Sequence, residues 1–437
     1  MTNLIVHWWR SRQFRAALAQ GKTRQAKQML QEIQKSGAKL SLLERLFRDK
    51  LKAEESAQHS KQEVAALRKK LSQLEFPDFE VELLKLQLES YQAENLVQPN
   101  EEFIQSVWQK FKLLENDEHL LQCTGIDREV FDEFEASLAA YLKEELYKIK
   151  PDSLKKAQED INRLKSGQDP QYSLPLTPHV YFMRYFLENV YCAYLAWFLI
   201  YRGGLLPAKL NILDIAAGPS TIAYGLSLFL KSASPFLDLP NTHISYYSLE
   251  QLDLFQYRGL QFWRRYIEPQ QNATNAYFRF DTTDIFDYQD SDRKIPENFF
   301  DFAVVCHCFF SDPSKRSRSY QIYKEMFASC LKEGGCVLLV VQDKKLFMQY
   351  NERQNEDLAL EQRLVKQLVG DMGLKLVWYK YLNSTGKRAF PGADFARFAS
   401  KNLPAQTFMN PLLRQHLGLN YNSHYTLDDY IILAQRG

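Results

Sequence analysis

The apolar positions of this chain change their rhythm partway along. Up to residue 165 they recur at helical spacing; beyond residue 205, short apolar runs of strand length alternate with helical stretches. The strand-like runs fall at 210–215, 244–249, 276–280, 300–308, 336–342, 374–382 and 430–435. Helical spacing returns between them at 221–231, 252–266, 319–331 and 355–372. Runs that are apolar throughout indicate strands buried on both faces. Their alternation with helices predicts a doubly wound α/β layer. Just upstream, 179–201 is apolar nearly all round, as a helix buried on every side must be.

The first part of the chain predicts helices only. Residues 7–35 read as a helical hairpin turning at Gly21-Lys22. Residues 41–74 read as one long helix, with Leu43, Leu46, Ala53, Ala57, Val64, Leu67, Leu71 and Leu74 at heptad a and d positions, interrupted by Lys50 and Ser60. That is the pattern of a coiled-coil-like helix, open to pairing within the chain or with a partner, and Pro77 stops it. Further helices are expected at 82–94, 101–114, 128–148 and 151–165. Residues 166–178 hold Gly167, Pro170, Pro175 and Pro178 and read as a linker. The expected organisation is an all-helical domain at 1–165, a linker at 166–178 and an α/β domain at 179–437, which suits a chain of 437 residues.

The stretch that concentrates chemistry is 210–221. A short apolar strand ends at Asp214, turns through Ala216, Gly218 and Ser220, and enters a helix at Thr221. Such a turn brings backbone N–H groups to a ligand, and the helix end adds unpaired donors and a positive dipole. The stretch resembles motif I of class I S-adenosylmethionine (SAM) methyltransferases, in which an acid at a strand end precedes a glycine-rich loop. Asp214 and Gly218 fit that motif; Ala216 and Ser220 stand where the family usually has glycine. The dinucleotide fingerprint G-x-G-x-x-G is absent. The resemblance extends over about 179–437: Phe299-Phe300-Asp301-Phe302-Ala303-Val304-Val305 matches the family's fourth strand and Leu331-Lys332-Glu333-Gly334-Gly335 its turn into the fifth. It implies a seven-stranded Rossmann-like sheet closed by a C-terminal hairpin, with SAM as cofactor.

SAM presents a carboxylate, a ribose diol and an adenine amine, and the chain offers matching groups at consecutive strand ends. The loop Gly218–Thr221 suits the carboxylate, with Ser220 or Thr221 as donor. Glu250, after the second strand, suits the diol. Asp284, after the third, suits the amine better than Asp281 does. The family resemblance places Cys306, His307 and Cys308, after the fourth strand, toward the methyl group and its acceptor. His307 reads equally as a general base and as a structural histidine, and methyl transfer often needs alignment alone. Neither an Asn/Asp-Pro-Pro-Tyr motif nor a Pro-Cys follows that strand, against adenine amino methylation and covalent cytosine chemistry respectively.

Composition adds the remaining expectations. The net charge is +2, but residues 1–75 carry 16 Lys/Arg against 7 Asp/Glu and residues 76–150 carry 7 against 17, so these segments stand at +9 and −10. They read as segments that pair, as a basic arm for a polyanion, or as solvated helix faces. Lys315, Arg316, Arg318, Lys387 and Arg388, with Lys344-Lys345, predict a basic rim suited to phosphates; Tyr181 and Tyr185 predict an aromatic wall for a substrate. RNA or a ribonucleoprotein is the leading acceptor, supported by a resemblance to methyltransferase-like proteins of the small ribosomal subunit, although the clustered cysteines of their mitochondrial members are missing. A small aromatic or lipid-like acceptor, and a non-catalytic assembly factor with the same fold, are the rivals. The N-terminal helices are the expected surface for a protein partner or self-association. Six cysteines without CxxC pairs predict no metal and a reducing, cytoplasmic setting. No leader is expected at 1–6, and the segment 190–201 is too short for the ~20 apolar residues of a bilayer span.

Overall fold

In the computed structural model, the described residues are 22–35, 96–166, 168–237, 243–270, 275–290, 295–388 and 392–436, with Arg10, Gln13, Phe14 and Ala17. The chain divides into two compact units, 1–94 and 95–437. In the first, helix α1 (Thr23–Lys35) buries Ala26, Leu30 and Ile33 with Phe14 and Ala17. The coiled-coil-like helix expected at 41–74 and the helix expected at 82–94 lie outside the described residues.

The second unit is built on a nine-stranded sheet in the order β1-β2-β8-β9-β7-β6-β3-β4-β5. Strands β3 (Lys209–Ile215), β4 (His243–Glu250), β5 (Asn275–Thr282), β6 (Phe300–Cys306), β7 (Leu331–Gln342), β8 (Leu374–Asn383) and β9 (Asp428–Arg436) answer to the seven apolar runs. β9 inserts antiparallel between β7 and β8, while β5, β4, β3, β6 and β7 run parallel. The expected seven-stranded sheet with its closing antiparallel strand is present, and it carries two strands more. β1 (Leu113–Glu115) and β2 (Leu120–Cys123) form a hairpin whose turn is held by the Asp117 carboxylate, accepting from the His119 and Leu120 N–H groups at 2.7 and 2.6 Å. β2 joins β8 in parallel. The expectation of an all-helical 1–165 is therefore corrected: the helix expected at 101–114 ends at Lys110, and Leu113-Leu114 enter the sheet instead.

Helices cover both faces. On one side lie α2 (Glu101–Lys110), α3 (Arg128–Glu145), α4 (Pro151–Ile161), α5 (Thr177–Tyr181), α6 (Leu187–Arg202), α7 (Thr221–Ala233) and α8 (Asp253–Tyr266), and their apolar side chains share one core. On the other lie α9 (Pro313–Cys330), α10 (Asp343–Gln349) and α11 (Leu358–Asp371). Two further helices, α12 (Gly392–Asn402) and α13 (Met409–Leu417), precede β9. α6 is buried from Val190 to Tyr201, and two of its polar side chains find partners inside: the Tyr191 hydroxyl donates to the Gly125 carbonyl at 2.6 Å and the Trp197 indole N–H to that of Ile222 at 3.2 Å.

The expected boundary at 166–178 falls inside the second unit, because α2 to α4 contribute to the same core as α6 and α7. The acids of α3 meet cations of the sheet's own helices: Glu133 pairs with Lys231 at 2.7 Å, Glu144 with Arg265 at 2.5 Å, and Glu145 with Arg258. Part of the negative surplus of 76–150 is thus matched within 95–437.

Candidate cofactor and acceptor site

The loop from β3 to α7 alternates in backbone hand: Ala216, Gly218 and Ser220 have φ of 55°, 55° and 63°. The left-handed region costs a residue with a Cβ roughly 1–2 kcal/mol, so a loop holding Ala and Ser there is fixed by its surroundings. Alternating hands turn successive N–H groups to one side, the geometry of an anion-binding nest. Behind the loop, α8 approaches so closely that a Cβ on Gly259 would lie 2.5 Å from the Pro219 carbonyl oxygen. In front it is open: a Cβ on Gly218 would meet nothing within 4 Å.

Glu250, at the end of β4, clamps this loop. Its carboxylate accepts from the Gly218 N–H at 2.8 Å and from the Leu252 N–H at 3.0 Å. One donor expected to face a ligand is therefore already engaged. Burial raises the Glu250 pKa, the backbone donors oppose the shift, and the nearby Asp284 adds to it. Asp214 lies beneath the loop, 1% exposed. Tyr246 donates its hydroxyl to one oxygen, and the other is buried with no partner. Burial pushes the Asp214 pKa up to about 7. Of the two acids after β5, Asp281 is buried and accepts from the Tyr247 and Thr283 hydroxyls at 3.1 and 2.7 Å; Asp284 is half-buried and accepts from the Phe286 N–H at 2.9 Å. Thr221 is buried at the first position of α7.

Tyr181 reaches the same edge: its hydroxyl accepts from the Asn189 side chain at 2.7 Å and interacts with Thr221, Cys306 and Glu250. His307, with φ 59°, places Nε2 2.9 Å from the Asp429 carboxylate and Nδ1 3.7 Å from the Cys306 sulfur. Burial alone would lower its pKa, but Cys306 and Asp429 outweigh burial and leave it raised well above the ordinary value. Of the two readings of His307, general base and structural histidine, the raised pKa and the contact with Asp429 favour the structural one.

The stretch expected to be a linker crosses the strand ends. Asp169 accepts from the Ser311 N–H at 2.9 Å and from the Lys345 ammonium at 2.7 Å. Asp160 holds the Gln171 and Tyr172 N–H groups at 3.0 and 2.9 Å. Tyr172 packs edge-on to Phe255 and interacts with Tyr181, Cys308 and Glu250. The basic rim is also smaller than expected. The Arg388 side chain is 7% exposed and paired with Asp343 and Glu361, and Lys345 is paired with Asp169. Arg318 donates to the Phe286 carbonyl at 2.6 Å, while Lys315 and Lys387 are exposed and Arg316 is half-exposed at the start of α9.

Glu188 and Asp429 were not foreseen. Glu188 accepts from the Thr426 hydroxyl at 2.9 Å, and burial raises its pKa to about 8. A lone acid on an otherwise apolar helix was the available signal; nothing in the pair Asp428-Asp429 marked the latter.

Glu188, Asp214 and His307 all have raised pKa values, so their contributions to stability share one sign. In the unfolded chain they titrate near ~4.3, ~3.9 and ~6.5; folded, Glu188 and Asp214 titrate at about 8 and about 7. Between those limits the folded state binds more protons, so stability falls as pH rises. The melting temperature is expected to drop between pH 5 and pH 8.5, and Glu188→Gln to flatten that slope. A profile that rises over the range contradicts this arrangement of acids.

No protein-family model matches the sequence, and no curated protein matches it. Among solved structures, the chain is similar to a SAM-dependent methyltransferase from Methanosarcina mazei (17% identity over 53% of this chain and 94% of that one, TM-score 0.30). It is also similar to the Methanococcus jannaschii fibrillarin pre-rRNA processing protein (11%, 52% and 67%, TM-score 0.29) and to an arsenic(III) SAM methyltransferase from Chlamydomonas reinhardtii (14%, 52% and 64%, TM-score 0.25). At such scores the functional reading rests on the chain's own residues. Among the described residues, no helix is long and apolar enough to cross a membrane, and no group of three His, Cys, Asp or Glu side chains is placed to hold a metal.

Proposed function

We propose that residues 95–437 bind SAM and transfer its methyl group. The observation that carries this reading is the open cradle in front of Gly218, flanked by Glu250 and Asp284 at the ends of adjacent parallel strands. The residues fit the cofactor. The left-handed loop and the start of α7, with Ser220 and Thr221, receive the carboxylate; Glu250 keeps acceptor capacity for a ribose diol after its two backbone bonds; Asp284 accepts from the adenine amine; Cys306 lies on the methyl side. SAM supplies an activated methyl on a sulfonium. The protein's part is to hold the acceptor in line with it and to exclude water, which the cover of Tyr172 and Tyr181 favours.

Glu250→Ala removes hydrogen bonds to a charged acceptor worth about 1.5–3 kcal/mol. Calorimetry should show at least a tenfold fall in SAM affinity. Unchanged affinity in a folded variant would take Glu250 out of the site.

A second reading, RNA or a ribonucleoprotein as acceptor, is favoured by the cations that stay accessible, Lys315, Arg316, Arg318 and Lys387. Each phosphate contact on a single strand contributes about 0.7 to the slope of log affinity against log salt. Replacing these four by Gln should flatten the slope and leave SAM affinity unchanged. Salt-independent binding in the wild type would sink the RNA reading.

A further inference from the structure

One acid beside the strand ends has no role in holding the cofactor. Between α5 and α6 the helix passes through a π-helical turn, Phe182–Phe186. Such turns widen a helix by one residue and recur at functional sites. Tyr181 stands before the turn, Tyr185 within it, and Glu188 one turn further on. Tyr181 interacts with Cys306, and Tyr185 and Glu188 with each other. The Tyr185 hydroxyl is buried and makes no hydrogen bond. Glu188 has the Thr426 hydroxyl on one oxygen. The other charged groups that face it are Asp429 on β9 and Arg184 on the turn. Neither pairs with it: Asp429 is held by His307, and Arg184 donates to the Asn162 side chain and lies over the Tyr185 ring. Among the described residues, Glu188 makes no ion pair.

Glu188 is half-buried; a partly desolvated carboxylate without an ion pair carries a cost that a cation bound beside it would offset. The Tyr181 ring, just before the turn, offers an entering cation further stabilisation through its face. We propose that the methyl acceptor is a primary amine entering as its ammonium ion, and that Glu188 is both its carboxylate partner and its proton acceptor. This rests on the methyl-transfer reading and goes beyond it by assigning the acceptor's chemistry. The ammonium gives one proton to the free Glu188 oxygen. The nitrogen lone pair so released forms the new N–C bond as the C–S bond of the donor breaks, its electron pair staying on sulfur. The products are a methylated ammonium, a protonated Glu188 and a neutral thioether, and the proton then leaves Glu188 to solvent.

The test is a carbon-13 titration of the glutamate carboxyls in the full chain with S-adenosylhomocysteine present. The Glu188 resonance is assigned by its loss in Glu188→Gln and its displacement in Glu188→Asp. The probes are n-butylammonium and, as a neutral match of the same length, n-butanol. Glu188 should titrate near pH 8 without a probe, at least one unit lower with butylammonium, and unchanged with butanol. No change with butylammonium, an equal change with both, or titration of Glu188 in the ordinary carboxylate range would overturn the assignment. Calorimetry with SAM separates the two levels. Wild type and Glu188→Gln should bind SAM within twofold of each other. SAM binding without a butylammonium effect ends the amine proposal alone, whereas a wild type that does not bind SAM removes the reading beneath it.

Discussion

Arg388→Met should destabilise the protein by about 3–5 kcal/mol, the usual cost of removing one partner from a buried ion pair. The Arg388 guanidinium lies between the carboxylates of Asp343 and Glu361, which are 0% and 1% exposed, donates to the Tyr430 hydroxyl at 3.0 Å, and faces the ring of Tyr381. Without it, two buried acids repel each other across α10, α11 and the start of β9. Burial already raises the Asp343 pKa even with the guanidinium present. The variant should therefore recover part of its lost stability at low pH, where both acids are protonated. Chemical denaturation at pH 7 and at pH 5 measures both effects. A loss below ~1 kcal/mol, the range of surface pairs, would show that Arg388 belongs to an accessible rim after all.

Gly218→Val should abolish detectable SAM binding while the protein remains folded. The backbone at Gly218 has φ 55°, a region that a β-branched residue enters only with strain. The variant should accordingly lose about 1–2 kcal/mol of stability. The larger effect is on the ligand: the added side chain would stand in the space now open in front of the loop. Gly218→Ala should fall between, with weakened binding. A folded Gly218→Val that bound SAM as tightly as wild type would place the cofactor elsewhere.

The seven expected strands were legible because a strand buried on both faces is an unbroken apolar run, as in Val337 to Val341. β1 and β2 were not. Each is too short to set a period, and Leu113-Leu114 continues the helical spacing of the segment before it. At the site, the acids at strand ends could be located by spacing, but their contacts could not: nothing in the order of residues says that Glu250 takes the Gly218 N–H or that Asp281 is held by Tyr247. Arg388 shows the same limit. Its sign is plain in the sequence, whereas its burial among acids depends on residues 27 and 45 positions away, Glu361 and Asp343. Glycine and proline marked 166–178 as irregular backbone, yet irregular backbone can hang free or cross a site. The Asp169–Lys345 pair and Tyr172 decide that it crosses.

If the edge formed by Gly218, Glu250 and Asp284 is a SAM site, the cofactor must bind there in preference to a dinucleotide. Calorimetric titration of the full-length wild type with SAM, with S-adenosylhomocysteine and NAD as competitors, tests it most directly. Saturable one-to-one binding that S-adenosylhomocysteine displaces and NAD does not is the expected result. No saturable binding at millimolar SAM, or displacement by NAD, would contradict it.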